Sequence, residues 1–239
     1  IPRFDKAKVL VIGDVMLDRY WHGGTSRISP EAPVAVVKVQ NTEDSPGGAG
    51  NVALNIAALG AAASLVGVVG DDNAGSELEK RLNAAGVFCD FLKSPTKPTV
   101  TKLRVISRHQ QLIRLDFEEY FEHADVVDLV NIAEKLLEKT DVVVISDYNK
   151  GTLANVAELI SLAKKLGIPV LVDPKGGDFS IYKGATILKP NLQEFEEIVG
   201  PCANEDELLR KAQQLLKDLE LEALLITRGE NGMILIRAG

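Results

Sequence analysis

Apolar and polar positions along this chain alternate between two periods. Short, β-branched apolar runs at residues 8–12, 64–69, 87–92, 141–146, 169–172, 185–188 and 223–226 read as strands, most of them apolar throughout, as strands buried on both faces are. Between them, helical spacing covers residues 48–59, 76–85, 126–139, 153–166, 192–199 and 205–219, with Gly60, Gly86, Gly167 and Gly200 placed to end helices. Strands alternating with helices predict an α/β fold with a mostly parallel sheet. Residues 18–39 and 99–117 break the rhythm, because they alternate polar with apolar and lack a solid apolar run, so they predict a separate small sheet. No internal repeat or low-complexity segment interrupts the pattern.

Composition narrows the picture. With 239 residues, 46% hydrophobic and 26% charged, the chain has enough apolar material for one large core with a small appendage, which excludes disorder. The net charge of −7 comes from 34 acidic against 27 scattered basic residues, which removes the electrostatic footprint of a nucleic-acid partner. Cys89 and Cys202 stand far apart without a CxxC, so a reducing, cytoplasmic setting is expected, with no disulfide framework or zinc cluster. Residues 52–69 are apolar enough to suggest a membrane span, but Asn55, Gly60, Ser64 and Gly67 make them a helix, a turn and a strand. No charged leader with a cleavage site opens the chain. The start at Ile1 without an initiator Met, and the stop at Gly239 just after the apolar residues 233–236, are expected of part of a longer protein.

The most specific local chemistry lies in Pro46-Gly47-Gly48-Ala49-Gly50-Asn51, where glycines leading into a helix allow close backbone approach and leave helix N–H groups free. Gly48, Gly50 and Ala53 satisfy a dinucleotide GxGxxG/A pattern with Asp71 about 20 residues on. The polar stretch 40–45 separates that pattern from any preceding strand, and Asp71 does not close a strand of the required βαβ unit, so the dinucleotide reading is rejected. No Gly-Lys pair occurs, which excludes a Walker A loop. Polar groups also gather where strands should end: Gly13-Asp14, Ser146-Asp147, Asp173-Pro174-Lys175, Lys189-Pro190-Asn191 and Thr227-Arg228-Gly229. Each alone reads as a cap or turn; five together point to a ligand crevice at the carboxyl edge of the sheet.

Gly13-Asp14, the run PGGAGNVALNIAALG at 46–60, NLQE at 191–194 and Thr227-Arg228-Gly229 resemble the ribokinase-like carbohydrate kinases in order and spacing. More closely, residues 14–34, 101–119 and 146–153 are similar to the kinase half of the bifunctional heptose 7-phosphate kinase and heptose 1-phosphate adenylyltransferase family of lipopolysaccharide precursor synthesis. The resemblance spans the whole chain. It implies a ribokinase-like three-layer sandwich over residues 1–239 with a β-lid from segments 18–39 and 99–117, and ATP- and Mg²⁺-dependent phosphorylation of the anomeric hydroxyl of a heptose 7-phosphate. By residue, it implies that Asp14, Gly47, Gly48 and Asn51 form the sugar floor. Asn191, Leu192, Gln193 and Glu194 match the element that orients the nucleotide phosphates and, through water, Mg²⁺; Thr227 and Gly229 match a phosphate loop, and Lys175 is a phosphate contact. The family's DTxGAGD element, which supplies the catalytic base, and the HxGH motif of a nucleotidylyltransferase are both absent, so the base is expected beyond Gly239 and only a kinase unit is assigned.

Period two places Lys102, Arg104 and Arg108 on one face of a strand and Leu103 and Val105 on the other. A basic strand face usually guards an exposed edge; the phosphate of the implied substrate gives Arg104 and Arg108 a second reading as its contacts. Strand edges bearing Val34, Val36, Leu103 and Val105 are expected to pair with a second copy, making the lid a homodimer interface. His22, His109 and His123 have neither metal-ligand spacing nor a nucleophile motif and read as surface or packing residues.

Overall fold

The computed structural model describes residues 4–108 and 110–238. Strands β1 (Lys8–Gly13), β2 (Val15–Ile28) and β3 (Ala35–Gly48) are followed by α1 (Ala49–Ala58), β4 (Ala62–Gly70), α2 (Asn73–Ala84) and β5 (Val87–Ser94). Next come β6 (Thr101–Ser107), β7 (Gln110–Phe117), α3 (His123–Val126), α4 (Leu129–Leu137), β8 (Val142–Ser146), α5 (Val156–Lys165), β9 (Val170–Asp173) and β10 (Ile187–Leu188). The chain continues through α6 (Leu192–Val199), α7 (Glu205–Asp218), β11 (Ala223–Thr227) and β12 (Met233–Arg237). An eight-stranded sheet has the order β12-β11-β10-β9-β8-β1-β4-β5, parallel except for β12, and a second sheet has the order β3-β2-β6-β7. All seven expected core strands are present, and α1 followed by β4 replaces any membrane span. Among the described residues no helix is long and apolar enough to cross a membrane.

The large sheet is apolar on both faces because each face has its own core. On one, Leu10, Ile12, Val66 and Val143 meet the buried sides of α4, α5 and α7. Leu129, Val130, Ala133 and Leu137 share one side of α4, so truncating Leu137 to Ala should cost about 2–5 kcal/mol. On the other face Val9, Val11, Leu65 and Val69 meet Ala49 and Ala53 of α1 and Leu78 and Leu82 of α2. That second layer covers β1, β4 and β5; farther along the same face Leu171, Ile187 and Leu225 are half-buried and Leu235 is exposed. The helix expected over 126–139 is two pieces. Asp125 is held early, its carboxylate accepting from the Ser94 hydroxyl at 2.6 Å and the Glu122 N–H at 2.9 Å, and the helix restarts beyond Asp128.

The small sheet differs most from expectation. It begins and ends closer to the large sheet than segments 18–39 and 99–117 imply: β2 starts one residue after β1, and β3 runs through the polar stretch 40–45 as far as Gly48. The dinucleotide reading still fails, for a different reason. Asp71 does follow a strand, β4, but β3 belongs to the other sheet, so no βαβ unit surrounds the glycines. Leu103 and Val105 are not at an edge either: β6 lies between β2 and β7, and the two residues are 3% and 7% exposed. The free edges are β3 and β7.

Candidate active site

Asp14 is the single residue between β1 in the large sheet and β2 in the small one. It is 1% exposed, and its carboxylate accepts the N–H groups of Tyr148 at 2.7 Å, Lys150 at 3.1 Å and Thr152 at 3.3 Å. A carboxylate has about four acceptor positions, so the loop after β8 takes most of them and leaves room for roughly one further donor. The return from the small sheet is as tight. Gly48 pairs with Val15, has φ 57°, and hands directly to Ala49, whose N–H donates to the Asp14 carbonyl at 2.9 Å. A Cβ on Gly48 would sit 2.3 Å from that carbonyl oxygen, and one on Gly47 2.3 Å from Asp18 Oδ2. The glycine run is thus a strand end fused to a helix start, with no loop between. No side chain caps α1, so the N–H groups of Gly50 and Asn51 open toward the same edge as the exposed Asn51 side chain.

Register places Asp18, Tyr20, Lys102, Arg104, Arg114 and Asp116 on one polar face of the small sheet. Arg104 bonds Asp18 and lies over the Tyr20 ring, 5.3 Å from its centroid; the bond to Asp18 holds the guanidinium pKa above its ordinary value. Ile106, rather than a charge, takes the next position on that face. Arg108 falls beyond β6 in the hairpin turn, with φ 49°, beside a hollow lined by His22, Gly23, Gln40 and Ile106. It is therefore at the far tip of the small sheet, and the shared basic face reduces to Lys102 and Arg104. His109 lies outside the described residues.

The other half of the edge is built from β9, β10 and β11. Asn191 and Glu194 cap each other: Asn191 Oδ1 accepts the Glu194 N–H at 2.9 Å, and Glu194 Oε2 accepts the Asn191 N–H at 3.0 Å. The remaining Glu194 oxygen accepts from Lys175 Nζ at 2.9 Å, and that bond raises the lysine pKa. Leu192 packs against the core, and Gln193 donates to Glu197 along the outside of α6, so neither side chain joins this group. Asn191 bridges Thr227, whose N–H donates to the Pro190 carbonyl at 3.1 Å; Gly229, φ 58°, opens the turn that follows. The two halves share one electrostatic space. Burial raises the Tyr148 phenol pKa, Asp173, Asp18 and Glu194 add to the rise, and Lys175 opposes it. No group of three or more metal-ligating side chains occurs among the described residues.

The family model described as pfkB family carbohydrate kinase matches residues 6–239. The chain belongs to this family. It is 63% identical over 239 residues to the bifunctional protein HldE of Pseudomonas fluorescens strain SBW25, covering 100% of this chain and 50% of that protein. It is 62% identical over 239 residues to the protein of the same name from Pseudomonas putida strain GB-1, with the same coverage. The chain thus spans about half the length of the curated relatives it matches. The tetrameric inhibited form of phosphofructokinase-2 from Escherichia coli superposes with TM-score 0.78 at 21% identity, over 97% of this chain and 77% of that one. A ribokinase from Arabidopsis thaliana, solved with ribose and ATP, gives 0.71 at 19%, over 98% and 75%. Both likenesses establish the ribokinase-like fold alone.

In this pfkB-family carbohydrate kinase the strand-end residues Asp147, Asp173 and Lys189 find partners at the edge, and one of those partners, Tyr182, escaped the sequence reading. Tyr182, 0% exposed, donates its one hydroxyl proton to Asp147 Oδ2 at 2.6 Å, with the Lys175 carbonyl a second, longer acceptor at 3.2 Å, tying the loops after β8 and β9 together. Burial raises the Asp147 pKa; the bonds from Tyr182 and the Asn149 N–H counter it, and the Asp14 charge adds to it. Lys189 pairs with Asp173 at 2.9 Å. The only sequence signal for Lys189 and Asp173 was their place at strand ends, and nothing marked Tyr182.

Proposed function

We propose that the full-length protein to which this kinase unit belongs transfers the γ-phosphoryl group of ATP to the anomeric hydroxyl of D-glycero-D-manno-heptose 7-phosphate, yielding the 1,7-bisphosphate for lipopolysaccharide core precursor synthesis, and that residues 1–239 alone bind the sugar phosphate with almost no turnover. The observation that carries this reading is the position of Asp14, a buried carboxylate with about one acceptor site left, beside the uncapped start of α1 and under the Arg104 face of the small sheet. Asp14 and Asn51 are assigned to the sugar hydroxyls, with Gly47 and Gly48 as the floor, and Arg104 to the phosphate the substrate already carries. Arg108, at the hairpin tip, receives no contact. Across the crevice, Lys175, Thr227 and Gly229 are assigned to the nucleotide phosphates.

Mg²⁺ keeps several waters and binds through one or two carboxylates plus substrate phosphates; Glu194, whose oxygens already accept from the Asn191 N–H and Lys175, would hold it through water on the nucleotide side. When bound, the ion neutralises charge on the transferring phosphoryl group. The chain's own residues position: phosphoryl transfer needs alignment and charge stabilisation more than covalent help. No DTxGAGD element occurs in these residues, and the group that takes the hydroxyl proton is assigned to that element of the full-length protein.

The small sheet is also read as a dimer interface. Ile113, Leu115 and Phe117 of β7 are exposed on the face that carries Leu103, Val105 and Trp21, opposite the polar one, which suits a second copy. Free Cys89 and Cys202 suit a cytoplasmic setting.

The test is ADP release by the full-length protein with Mg²⁺-ATP and, separately, heptose 7-phosphate, fructose 6-phosphate and ribose. Heptose 7-phosphate is expected to exceed the others in kcat/KM by about tenfold or more, as hydrogen-bonded discrimination allows. Equal or better use of fructose 6-phosphate or ribose would overturn the substrate assignment.

A further inference from the structure

The loop Asp147–Thr152 is unusually committed. Its N–H groups at positions 148, 150 and 152 converge on the Asp14 carboxylate, and Asn149, at φ 56°, donates its N–H to Asp147. On its other side the loop grips the chain where it leaves the small sheet. The Lys150 carbonyl accepts the Phe121 N–H at 2.8 Å, and Lys150 Nζ bonds Glu118 Oε1 at 2.7 Å, with both side chains partly buried. Gly151, at φ 101°, lets the two segments touch, since a Cβ there would fall 2.0 Å from the Phe121 carbonyl oxygen. Glu118 directly follows the last residue of β7.

The small sheet is therefore anchored at points set by one group. Its first strand leaves from Asp14 itself, and its last strand ends one residue before Glu118, the partner of the lysine whose backbone N–H the Asp14 carboxylate accepts. Its third strand is pinned at the same base, because Leu17 N–H donates to the Val100 carbonyl at 2.8 Å.

We propose that Lys150 is a positioning residue that couples the sugar floor to the lid: its backbone N–H orients the Asp14 carboxylate, and its ammonium fixes the lid's exit through Glu118. The substrate part of this inference rests on the proposed sugar-kinase reading. A sugar hydroxyl donating to the remaining acceptor site of Asp14 shares that carboxylate with the Lys150 N–H, which ties occupancy of the floor to the lysine that holds the end of β7. The ion pair also sets where the lid rests when the floor is empty.

The experiment uses the full-length protein as wild type, Lys150→Glu, Glu118→Lys and the double exchange, with Glu118→Gln as a nearly isosteric break should a reversal fail to fold. The first readout is hydrogen exchange at the β7 amides without ligand, which needs no knowledge of the substrate. Single variants should exchange several-fold faster than wild type, and the double variant should return to within about twofold. The second readout is KM. Single variants should raise KM for heptose 7-phosphate roughly three- to fivefold, in keeping with a partly exposed pair, with KM for ATP and kcat little changed and recovery in the double. Unchanged exchange in both single variants and in Glu118→Gln, or losses that add in the double exchange, would overturn the coupling. A wild type that ignores heptose 7-phosphate would instead overturn the substrate reading, while the exchange data still decide the latch.

Discussion

The carboxylate of Asp14 accepts the backbone N–H of Tyr148 at 2.7 Å across 134 positions of sequence, in a cluster with the N–H groups of Lys150 and Thr152. The residue that joins the two sheets is therefore also the fastener of the loop after β8. Asp14→Asn replaces an oxygen that accepts these bonds with an amide that donates, opposing donor to donor. Hydrogen bonds to a charged group are worth about 1.5–3 kcal/mol each, so urea unfolding should show a loss of at least about 2 kcal/mol. An unchanged midpoint would mean that the loop is held by other contacts.

Gly48 offers a test of the join between the sheets. Alanine there is strained at φ 57° and crowds the Asp14 carbonyl. An L-residue held in that region costs about 1–3 kcal/mol, and the thermal unfolding temperature of Gly48→Ala should fall by about 2–12 °C. A variant melting with the wild type would show that the turn relaxes freely.

Much of this was legible in the sequence, and what was missed has separate physical causes. The seven core strands were readable because burial on both faces leaves uninterrupted apolar runs, and the edge crevice was readable because strand ends carry polar residues. The extent of β3 was not, since Gln40–Ser45 line a sheet that is open to water and carry no apolar alternation. Arg108 was misplaced because period two stops where the hairpin turns. The three donors to Asp14 and the Tyr182 bond to Asp147 are backbone or distant contacts that no local spacing encodes. Asn191 and Glu194 show a different ambiguity: the spacing that matches a nucleotide element also closes a helix capping box.

Asp147 predicts a pH dependence. Burial lifts its carboxyl pKa above the ordinary 3.8, so the native protein holds the proton more tightly than the unfolded chain does. The stability this contributes is fully present below the ordinary value and is lost as pH rises through the native one. Asp147→Asn should lack that loss, so its stability relative to wild type should rise as urea titrations move from pH 4 to pH 7. Parallel curves would remove Asp147 as the titrating group.

The exposed face of β7 predicts self-association. Light scattering at micromolar concentration should give a dimer mass, and Leu115→Asp with Phe117→Asp should give a monomer. A monomeric wild type would count against the lid interface.

Residues 1–239 are proposed to hold the sugar floor by themselves, and calorimetric titration of heptose 7-phosphate into this chain checks that. Asn51→Ala is the sharpest comparison, because that side chain is exposed at the start of α1 and its removal should leave the fold intact. Binding to the wild-type chain is expected, weakened about two- to twelvefold in Asn51→Ala, as loss of one hydrogen bond of about 0.5–1.5 kcal/mol requires. Equal affinity in the two proteins, or no binding to the wild type, would contradict it.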